Sequence, residues 1–282
     1  MSKDQPMLGI IGGGQLGSML CQAASRLKIK TFVLSDDRNA PAKKFCNEFI
    51  YSKYENLSEI DIFFKQVDVI TFEFENIPYK TLENISKTKK VLPNPKIIEI
   101  VQNRKTEKTF INKLDIETTP WALIKSKEDI KKNKHLLPGI LKTCTLGYDG
   151  KGQYVLNNLD DIKDEWCFSS DYILEKLVNL KQEISVIITR FFNGECAIFE
   201  PIENVHENQI LKNSRIPANI NKKIYNQSQS AAKLIAQKLD FIGTMCVEYF
   251  VDKQNNLMVN EIAPRVHNSG HLTINAFGIS QF

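Results

Sequence analysis

The 282-residue chain is 42% hydrophobic and 25% charged, an ordinary globular composition that allows two or three small domains. Its 37 basic and 33 acidic residues are spread along the chain and give a net charge of +4, which predicts no nucleic-acid surface. The polar N-terminus and the lack of any apolar run near the ~20 residues of a spanning helix predict a cytoplasmic protein that binds no membrane. The six cysteines form no Cys-x-x-Cys pair and are typical of reduced, buried thiols.

Short apolar strands alternate with single helices in the first part of the chain, which is the pattern of a doubly wound parallel sheet. We predict strands at 8–11, 30–34 and 67–72 and helices at 15–27 and 57–64. A helix over 95–114 follows, opened by Asn94 as its N-cap and by Pro95 in its first turn. We place this domain at residues 1–115.

The pattern changes near residue 118. A strand at 121–124, a helix at 127–134, a strand at 139–143 and a glycine-rich turn at 146–152 predict a small α+β domain over 116–178. Longer strands at 183–192, 195–200, 245–252 and 257–262, with one helix at 220–239, predict an antiparallel, half-exposed sheet in a domain over 179–282.

The first strand and helix are joined by a glycine-rich loop. Residues 12–17 contain Gly-x-Gly-x-x-Gly, and Asp36 and Asp37 follow roughly 20 residues later, as in a dinucleotide site. The N–H groups of a helix N-terminus bind any anion, however, so a substrate phosphate would fit the loop as well as a pyrophosphate. An NAD-dependent oxidoreductase therefore remains open at this point.

Two carboxylates are predicted to face each other on the last hairpin. If the turn at 253–256 is centred between Gln254 and Asn255, Glu248 lies opposite Glu261, with Cβ atoms about 5 Å apart. Facing carboxylates repel unless a cation lies between them. Together with Asn260 they form a set of oxygen ligands suited to Mg²⁺, and their apolar neighbours favour this interpretation over two solvated glutamates.

A second glycine-rich loop follows Lys142, which ends a predicted strand. The loop lacks the Walker spacing but can close over phosphates as a lid.

Four blocks follow one another in a specific order along the chain. They are Gly-Gly-Gly-Gln-Leu-Gly at 12–17, Thr-Phe-Glu-Phe-Glu-Asn-Ile-Pro at 71–78, Gly-Tyr-Asp-Gly-Lys-Gly-Gln at 147–153, and Asn-Glu-Ile-Ala-Pro-Arg-Val-His-Asn-Ser-Gly-His at 260–271. With these blocks the chain resembles the ATP-grasp superfamily over its whole length, and within it the N5-carboxyaminoimidazole ribonucleotide synthetase family.

The resemblance implies an α/β ATP-grasp fold composed of the parallel-sheet domain, a small α+β lid domain and the antiparallel-sheet domain. It implies a carbon–nitrogen ligase that uses ATP, Mg²⁺ and bicarbonate to carboxylate 5-aminoimidazole ribonucleotide through carboxyphosphate, in purine synthesis. It also implies a homodimer, although the residues alone do not fix the oligomeric state. The chain stops at Phe282 on an apolar side chain, whereas the family continues with a further segment, so we expect the last domain to be truncated.

The resemblance assigns roles residue by residue. The nucleotide residues would be Arg104, Lys142, Gly147, Tyr148, Asp149, Gly150, Lys151, Gly152, Gln153, Glu175, Lys176, Leu177, Val178, Glu183, His206, Asn260 and Glu261. The ribonucleotide residues would be Gln15, Leu16, Glu73, Asn76, Tyr148, Lys151, Arg265, His267 and Asn268. Glu248 and Glu261 would hold Mg²⁺.

Four of these residues are assigned to the chemistry. Lys142 would stabilise charge on the transferring phosphoryl group, and Arg265 would bind phosphate or carboxyphosphate. Asp149 and His267 are the candidates for handling the proton of the amine.

Two positions depart from the family pattern. Leu146 replaces a usual glycine, and Lys151 replaces a frequent arginine, which exchanges a donor fork for a point charge. Three alternatives stay open: another ATP-grasp carboxylase or ligase with a different acceptor, the NAD-dependent oxidoreductase, and a nucleotide-binding protein without turnover.

Overall fold

The structure is a computed structural model that describes residues 5–145, 152–163, 166, 168, 170–207 and 210–282. Its first sheet is parallel and has the strand order β3-β2-β1-β4-β5. The strands are β1 (Met7–Ile11), β2 (Lys30–Ser35), β3 (Glu48–Tyr51), β4 (Val69–Phe72) and β5 (Lys90–Val91). The order reverses between β1 and β4, so the crevice outside their carboxyl ends is the expected ligand position of a doubly wound sheet. The prediction of a parallel sheet is confirmed.

Three helices connect these strands. They are α1 (Gln15–Arg26), α2 (Leu57–Gln66) and α3 (Tyr79–Ser86). The first two agree with the predicted helices to within about two residues at each end, the usual uncertainty of a helix boundary. β3, α3 and β5 are short and were not predicted.

The single helix predicted over 95–114 is wrong, because the chain forms two helices there. They are α4 (Pro95–Val101) and α5 (Arg104–Asn112). Asn94 caps α4 as predicted, but Asn103 caps a second helix by accepting hydrogen bonds from the N–H groups of Lys105 and Thr106. The break places Arg104 at the start of a helix that faces the cleft described below.

The second sheet is antiparallel and has the strand order β6-β9-β7-β8. Its elements are β6 (Trp121–Ile124), α6 (Lys127–Lys132), β7 (Gly139–Thr143), β8 (Gln153–Leu156) and β9 (Tyr172–Lys176). Leu141 and Leu174 pack with Ile130 of α6 in its small core. The α+β interpretation is confirmed, although β8 was not predicted as a strand.

The third sheet is antiparallel and has the strand order β13-β12-β10-β14-β15, with β11 paired to β10. The strands are β10 (Leu180–Arg190), β11 (Cys196–Ile198), β12 (Ile202–Glu207), β13 (Ile210–Arg215), β14 (Gly243–Asp252) and β15 (Leu257–Ala263). The helices are α7 (Lys222–Lys238) and α8 (Thr273–Ala276). The antiparallel prediction is confirmed, although β12 and β13 were not predicted.

The core of the third sheet includes α4 and α5. Ile235 of α7 packs against β10 and β14, and Ile97 and Ile111 join the same cluster of buried residues. The linking helices therefore pack on the third sheet rather than only on the first. The domain boundaries after residues 115 and 178 remain predictions.

The hairpin of β14 and β15 has the predicted register at the two carboxylates. Glu248 pairs with Glu261, but the predicted centre of the turn is wrong. Val251 pairs with Leu257, which centres the turn on Gln254.

A β-bulge reconciles the two registers. It lies on the turn side of the carboxylate pair, with Asn260 as the extra residue of β15. The turn itself is fixed by Asp252, whose carboxylate accepts hydrogen bonds from the N–H groups of Gln254 and Asn256, and by Asn255 at a φ of +61°. Within the described part of the chain, no helix is both long enough and apolar enough to cross a membrane.

Candidate active site

A cleft of about 1300 Å³ lies where the three sheets meet. The predicted residues that line it come from all three sheets and the connections between them: Gln15, Asn76, Arg104, Lys142, Gln153, Glu183, His206, Glu248, Asn260, Glu261, Arg265, His267 and Asn268. Residues assigned to a nucleotide, a metal and a ribonucleotide therefore open on one space. The cleft is wide enough to hold a nucleotide and a second substrate side by side.

The glycine loop at the start of α1 holds a carboxylate of the protein itself. The backbone N–H groups of Gly14 and Gly17 both donate to Glu73, the second at 2.6 Å. A Cβ on Gly12, which has a φ of +98°, would lie 2.5 Å from Glu73 Cγ. The glycines therefore admit the Glu73 side chain, and two of the donors that a pyrophosphate would need are already used.

Glu73 was predicted to bind the ribonucleotide, but the structure buries it under the loop. The side chain is 7% exposed, and burial raises its pKa although the N–H donors of Gly17 and Gly14 oppose the rise. Leu16, also assigned to the ribonucleotide, is buried as well. Glu73 shapes the loop that presents Gln15 to the cleft rather than facing the cleft itself.

Replacing Glu73 by Gln should lower the free energy of unfolding by about 1–3 kcal/mol, because the new NH₂ group faces one of the two backbone N–H donors and leaves that buried donor without an acceptor. Urea denaturation measures the change. Glu55→Gln, at an exposed position of the same domain, is the control and should be neutral. Equal stability of the two variants would contradict this function of Glu73.

Arg265 lines the cleft as predicted, and it is held by a residue that the sequence analysis missed. Its Nε donates to Glu75 Oε2 at 2.6 Å, and its Nη1 donates to the Val266 carbonyl at 3.0 Å. Burial raises the pKa of Glu75, but Arg265 outweighs it and leaves the pKa below its usual value. Glu75 stands in the block at 71–78 between the assigned residues Glu73 and Asn76, which was the available signal in the sequence.

Lys142 enters the cleft from β7 and pairs with Glu175 of β9. Its Nζ lies 2.8 Å from Glu175 Oε2, and Lys108 Nζ of α5 lies 3.3 Å from Glu175 Oε1. Burial raises the pKa of Glu175, but the two lysines outweigh it and bring the pKa to about 2. Lys108 is 1% exposed and was missed, because nothing in the sequence connects it with Glu175.

The side chains of the predicted adenine segment, residues 175–178, differ in their exposure to solvent. Glu175 is buried against the lysines, whereas Lys176 and Leu177 are exposed. The Glu175 side chain is therefore a counter-ion of Lys142 and is not available to a nucleotide base. The backbone N–H groups of Lys176 and Leu177 already donate to the carbonyls of Pro120 and Pro138, so these two donors are not available to adenine.

Glu183 and His206 lie together on the third sheet. His206 Nδ1 is 2.6 Å from Glu183 Oε2, and both side chains are about one quarter exposed, at 25% and 24%. The hydrogen bond to Glu183 raises the pKa of His206. His206 is thus not an isolated histidine: it fixes the carboxylate that is predicted to meet the ribose hydroxyls.

The two facing carboxylates have different surroundings. Glu248 accepts hydrogen bonds from His267 Nε2 at 3.1 Å and from Asn260 Nδ2 at 3.3 Å. Glu261 instead forms an ion pair with Arg104, whose Nη1 lies 3.7 Å away. Burial raises the pKa of Glu248, but the hydrogen bond and charge of His267 outweigh it and lower the pKa. Burial and the charge of Glu248 raise the pKa of Glu261. The two carboxylates are therefore suitable ligands for a divalent cation, which would relieve the repulsion between them.

A third carboxylate, Glu107 of α5, lies behind this pair and was not predicted. It is 3% exposed and accepts a hydrogen bond from the Ile262 N–H at 2.7 Å. Burial and the charge of Glu261 raise its pKa to about 8. Over the residues that the structure describes, no group of three or more His, Cys, Asp or Glu side chains could hold a metal ion. Further ligands to a cation at Glu248 and Glu261 would come from phosphate oxygens and water.

Part of the predicted lid lies outside the described residues. Gly147, Tyr148, Asp149, Gly150 and Lys151 belong to this part, as does Leu146. Gly152, at the end of the lid, has a φ of +69°, and a Cβ there would lie 2.8 Å from Thr143 Oγ1. A glycine is therefore required where the lid rejoins the second sheet.

The same architecture occurs in proteins of known activity. A profile of the ribonucleotide synthetase preATP-grasp domain matches residues 6–102, and a profile of the ATP-grasp domain matches residues 109–282. The chain is 42% identical over 281 residues to the N5-carboxyaminoimidazole ribonucleotide synthase of Brucella melitensis, covering 98% of this chain and 78% of that protein.

Two solved structures extend the comparison. The N5-carboxyaminoimidazole synthetase of Staphylococcus aureus, complexed with ADP, superposes with a TM-score of 0.93 at 38% identity, over 98% of this chain and 74% of that chain. The N5-carboxyaminoimidazole synthase of Aspergillus clavatus, in complex with ADP and 5-aminoimidazole ribonucleotide, superposes with a TM-score of 0.87 at 28% identity, over 99% of this chain and 74% of that chain.

Proposed function

Because this chain belongs to the N5-carboxyaminoimidazole ribonucleotide synthase family of ATP-grasp ligases, we propose that it uses ATP and bicarbonate to carboxylate the amine of 5-aminoimidazole ribonucleotide. The observation that carries this proposal is the single cleft onto which Lys142, the Glu248–Glu261 pair and Arg265 all open. The γ-phosphoryl group passes to a bicarbonate oxygen, which gives ADP and carboxyphosphate. The amine then attacks the carbonyl carbon and expels phosphate, or it attacks CO₂ formed after phosphate has left; in both routes the amine loses one proton as the C–N bond forms.

The nucleotide would occupy the side of the cleft between the second and third sheets. Lys142 and Arg104 line that side of the cleft, and both suit phosphate oxygens. Glu183, fixed by His206, would accept hydrogen bonds from ribose hydroxyls. Glu175 pairs with Lys142 and fixes its direction, so the phosphoryl group would meet a preorganised side chain as its charge develops.

Glu248 and Glu261 are the residues that would hold Mg²⁺, with Asn260 beside them. When bound, Mg²⁺ neutralises the phosphate charge and orients the phosphates for in-line transfer. The chain contributes two carboxylates on adjacent strands, and hydrogen bonds from His267 and Asn260 orient one of them.

The acceptor would occupy the side of the cleft next to the first sheet. Gln15 and Asn76 offer amide groups there, and Arg265 offers a planar donor group whose direction Glu75 fixes. An arginine held in this way suits the phosphate of a ribonucleotide or carboxyphosphate. Exclusion of water by the lid would protect carboxyphosphate from hydrolysis.

This proposal predicts that ADP release requires Mg²⁺ and bicarbonate and rises at least about tenfold when 5-aminoimidazole ribonucleotide is added, because the acceptor completes the reacting set. A coupled ADP assay, with each component omitted in turn, measures this. The chain with Lys142→Met is the control for contaminating ATPases. Equal rates with and without bicarbonate would contradict the proposal. If ADP release required a different acceptor, the chain would instead be an ATP-grasp ligase for that acceptor.

A further inference from the structure

A continuous chain of hydrogen bonds runs from β12 of the third sheet to Glu248 on β14, one of the two facing carboxylates. Asn204 Nδ2 donates to Ser185 Oγ at 2.9 Å, and Ser185 Oγ lies 2.8 Å from Ser269 Oγ. Ser269 Oγ lies 2.8 Å from His267 Nδ1, and His267 Nε2 lies 3.1 Å from Glu248 Oε1. Ser185, Ser269 and His267 thus each have a partner on both sides.

The chain is almost completely withdrawn from solvent. Ser185 and Ser269 are fully buried, and Asn204 and His267 are 6% and 9% exposed. Ser185 is also the residue of β10 that pairs with Glu248 of β14, and β10 lies between β12, which carries Asn204, and β14, so the chain links three adjacent strands. Buried polar networks in which every group is satisfied hold their members in one geometry.

The position of His267 in this chain limits what it can do. Both ring nitrogens are engaged, Nδ1 by Ser269 and Nε2 by Glu248. A histidine that exchanges a proton with a substrate needs one ring nitrogen within reach of it. The geometry therefore disfavours the expectation that His267 handles the proton of the amine.

Glu248 in turn has a donor on each oxygen. Oε1 accepts a hydrogen bond from His267 Nε2, and Oε2 accepts one from Asn260 Nδ2 at 3.3 Å. These two donors define the plane of the carboxylate and leave its remaining lone pairs for a cation, as the outer groups of metal sites commonly do.

We propose that the chain Asn204–Ser185–Ser269–His267 positions the Glu248 carboxylate for the divalent cation, and that His267 is a positioning residue. This inference rests on the proposed function, since it presupposes a cation at Glu248 and Glu261. It assigns a common purpose to three buried residues, Asn204, Ser185 and Ser269, that the sequence analysis did not single out.

Two substitutions of His267 separate its two hydrogen bonds. In His267→Gln the side-chain amide reaches the position of Nε2 and can still donate to Glu248. In His267→Asn the amide reaches only the position of Nδ1, so the bond to Ser269 can persist while the donor to Glu248 is lost. Both variants are neutral and polar, and they differ mainly in which bond they retain.

The readout is the effect of Mg²⁺ on ADP affinity, measured by calorimetry in EDTA and over a series of Mg²⁺ concentrations. We expect His267→Asn to raise the Mg²⁺ concentration for half of the effect about 10-fold or more, with ADP affinity in EDTA unchanged. His267→Gln should lie closer to wild type. Ser269→Ala should shift the same quantity less than His267→Asn, and Ser228→Ala, a buried serine of α7 outside the chain, should not shift it.

Two results would overturn the inference. If His267→Asn keeps the wild-type Mg²⁺ response but loses affinity for 5-aminoimidazole ribonucleotide, His267 contacts the substrate and does not position Glu248. If Ser269→Ala and Ser228→Ala shift the Mg²⁺ response equally, the chain has no special role. By contrast, if the ADP affinity of the wild-type protein did not depend on Mg²⁺, the proposed metal site itself would be refuted. Failure of the inference and failure of the proposed metal site therefore give different results.

Discussion

Replacing Glu261 by Gln should reduce ATP turnover at least about 100-fold, because it would remove a negative ligand from the proposed cation, where phosphoryl charge develops. The fold should be retained. Burial and Glu248 raise the pKa of Glu261, so its ionised form is disfavoured in the metal-free protein. A neutral amide at this position should therefore leave the free energy of unfolding equal or slightly higher.

The combination of lost turnover and retained stability distinguishes a ligand from a structural residue. ADP release over a Mg²⁺ titration measures turnover, and urea denaturation in EDTA measures stability. Glu117→Gln, at an exposed position beside the same hairpin, is the control and should leave both unchanged. Activity of Glu261→Gln near that of wild type at all Mg²⁺ concentrations would refute the paired-carboxylate site.

The register of this hairpin shows what the sequence could predict and what it could not. Alternation of apolar side chains predicted both strands, and the pairing of Glu248 with Glu261 is confirmed. The turn was misplaced, because Asp252 and Asn255 build a tighter turn than the loop length suggested. The bulge at Asn260 compensates by one residue, and a bulge leaves no reliable trace in the alternation of a short strand.

The residues that the sequence analysis missed share one property, which is that each acts through a partner far away in the chain. Glu75 meets Arg265 across 190 positions, and Glu107 meets the Ile262 N–H across 155. Local periodicity predicts which residues share a strand or helix face, but it contains no information on which elements become neighbours. Strongly periodic elements and ordered motifs were therefore predicted well, whereas the ion pairs that orient the motif residues were not.

The buried cluster of Lys108, Glu175 and Lys142 gives the second large effect. Glu175→Gln should lower the free energy of unfolding by about 3 kcal/mol near neutral pH, since it removes the charged partner that two buried lysines share. The pKa of Glu175, lowered from its ordinary value of 4.5 to about 2, gives an effect of the same size. Turnover should fall as well, because Lys142 would lose the partner that directs it into the cleft.

The pH dependence of this effect has a definite sign. A carboxyl group whose pKa is lower in the folded protein stabilises the fold above its unfolded pKa and loses that contribution as the pH falls through the folded value. The stability difference between wild type and Glu175→Gln should therefore be full above about pH 5 and shrink between about pH 4.5 and 2. Urea denaturation at several pH values measures it.

A double variant tests whether the charge balance, rather than the shape of Glu175, is responsible. In Lys108→Met/Glu175→Gln the buried ammonium of Lys108 is replaced by an apolar side chain of similar length, so only Lys142 keeps a charge in the cluster. The double variant should recover a substantial part of the stability that Glu175→Gln loses, but not the turnover, because Lys142 still lacks its negatively charged partner. A double variant less stable than Glu175→Gln alone would mean that Lys108 stabilises the fold by its packing, and the explanation by charge balance would fail.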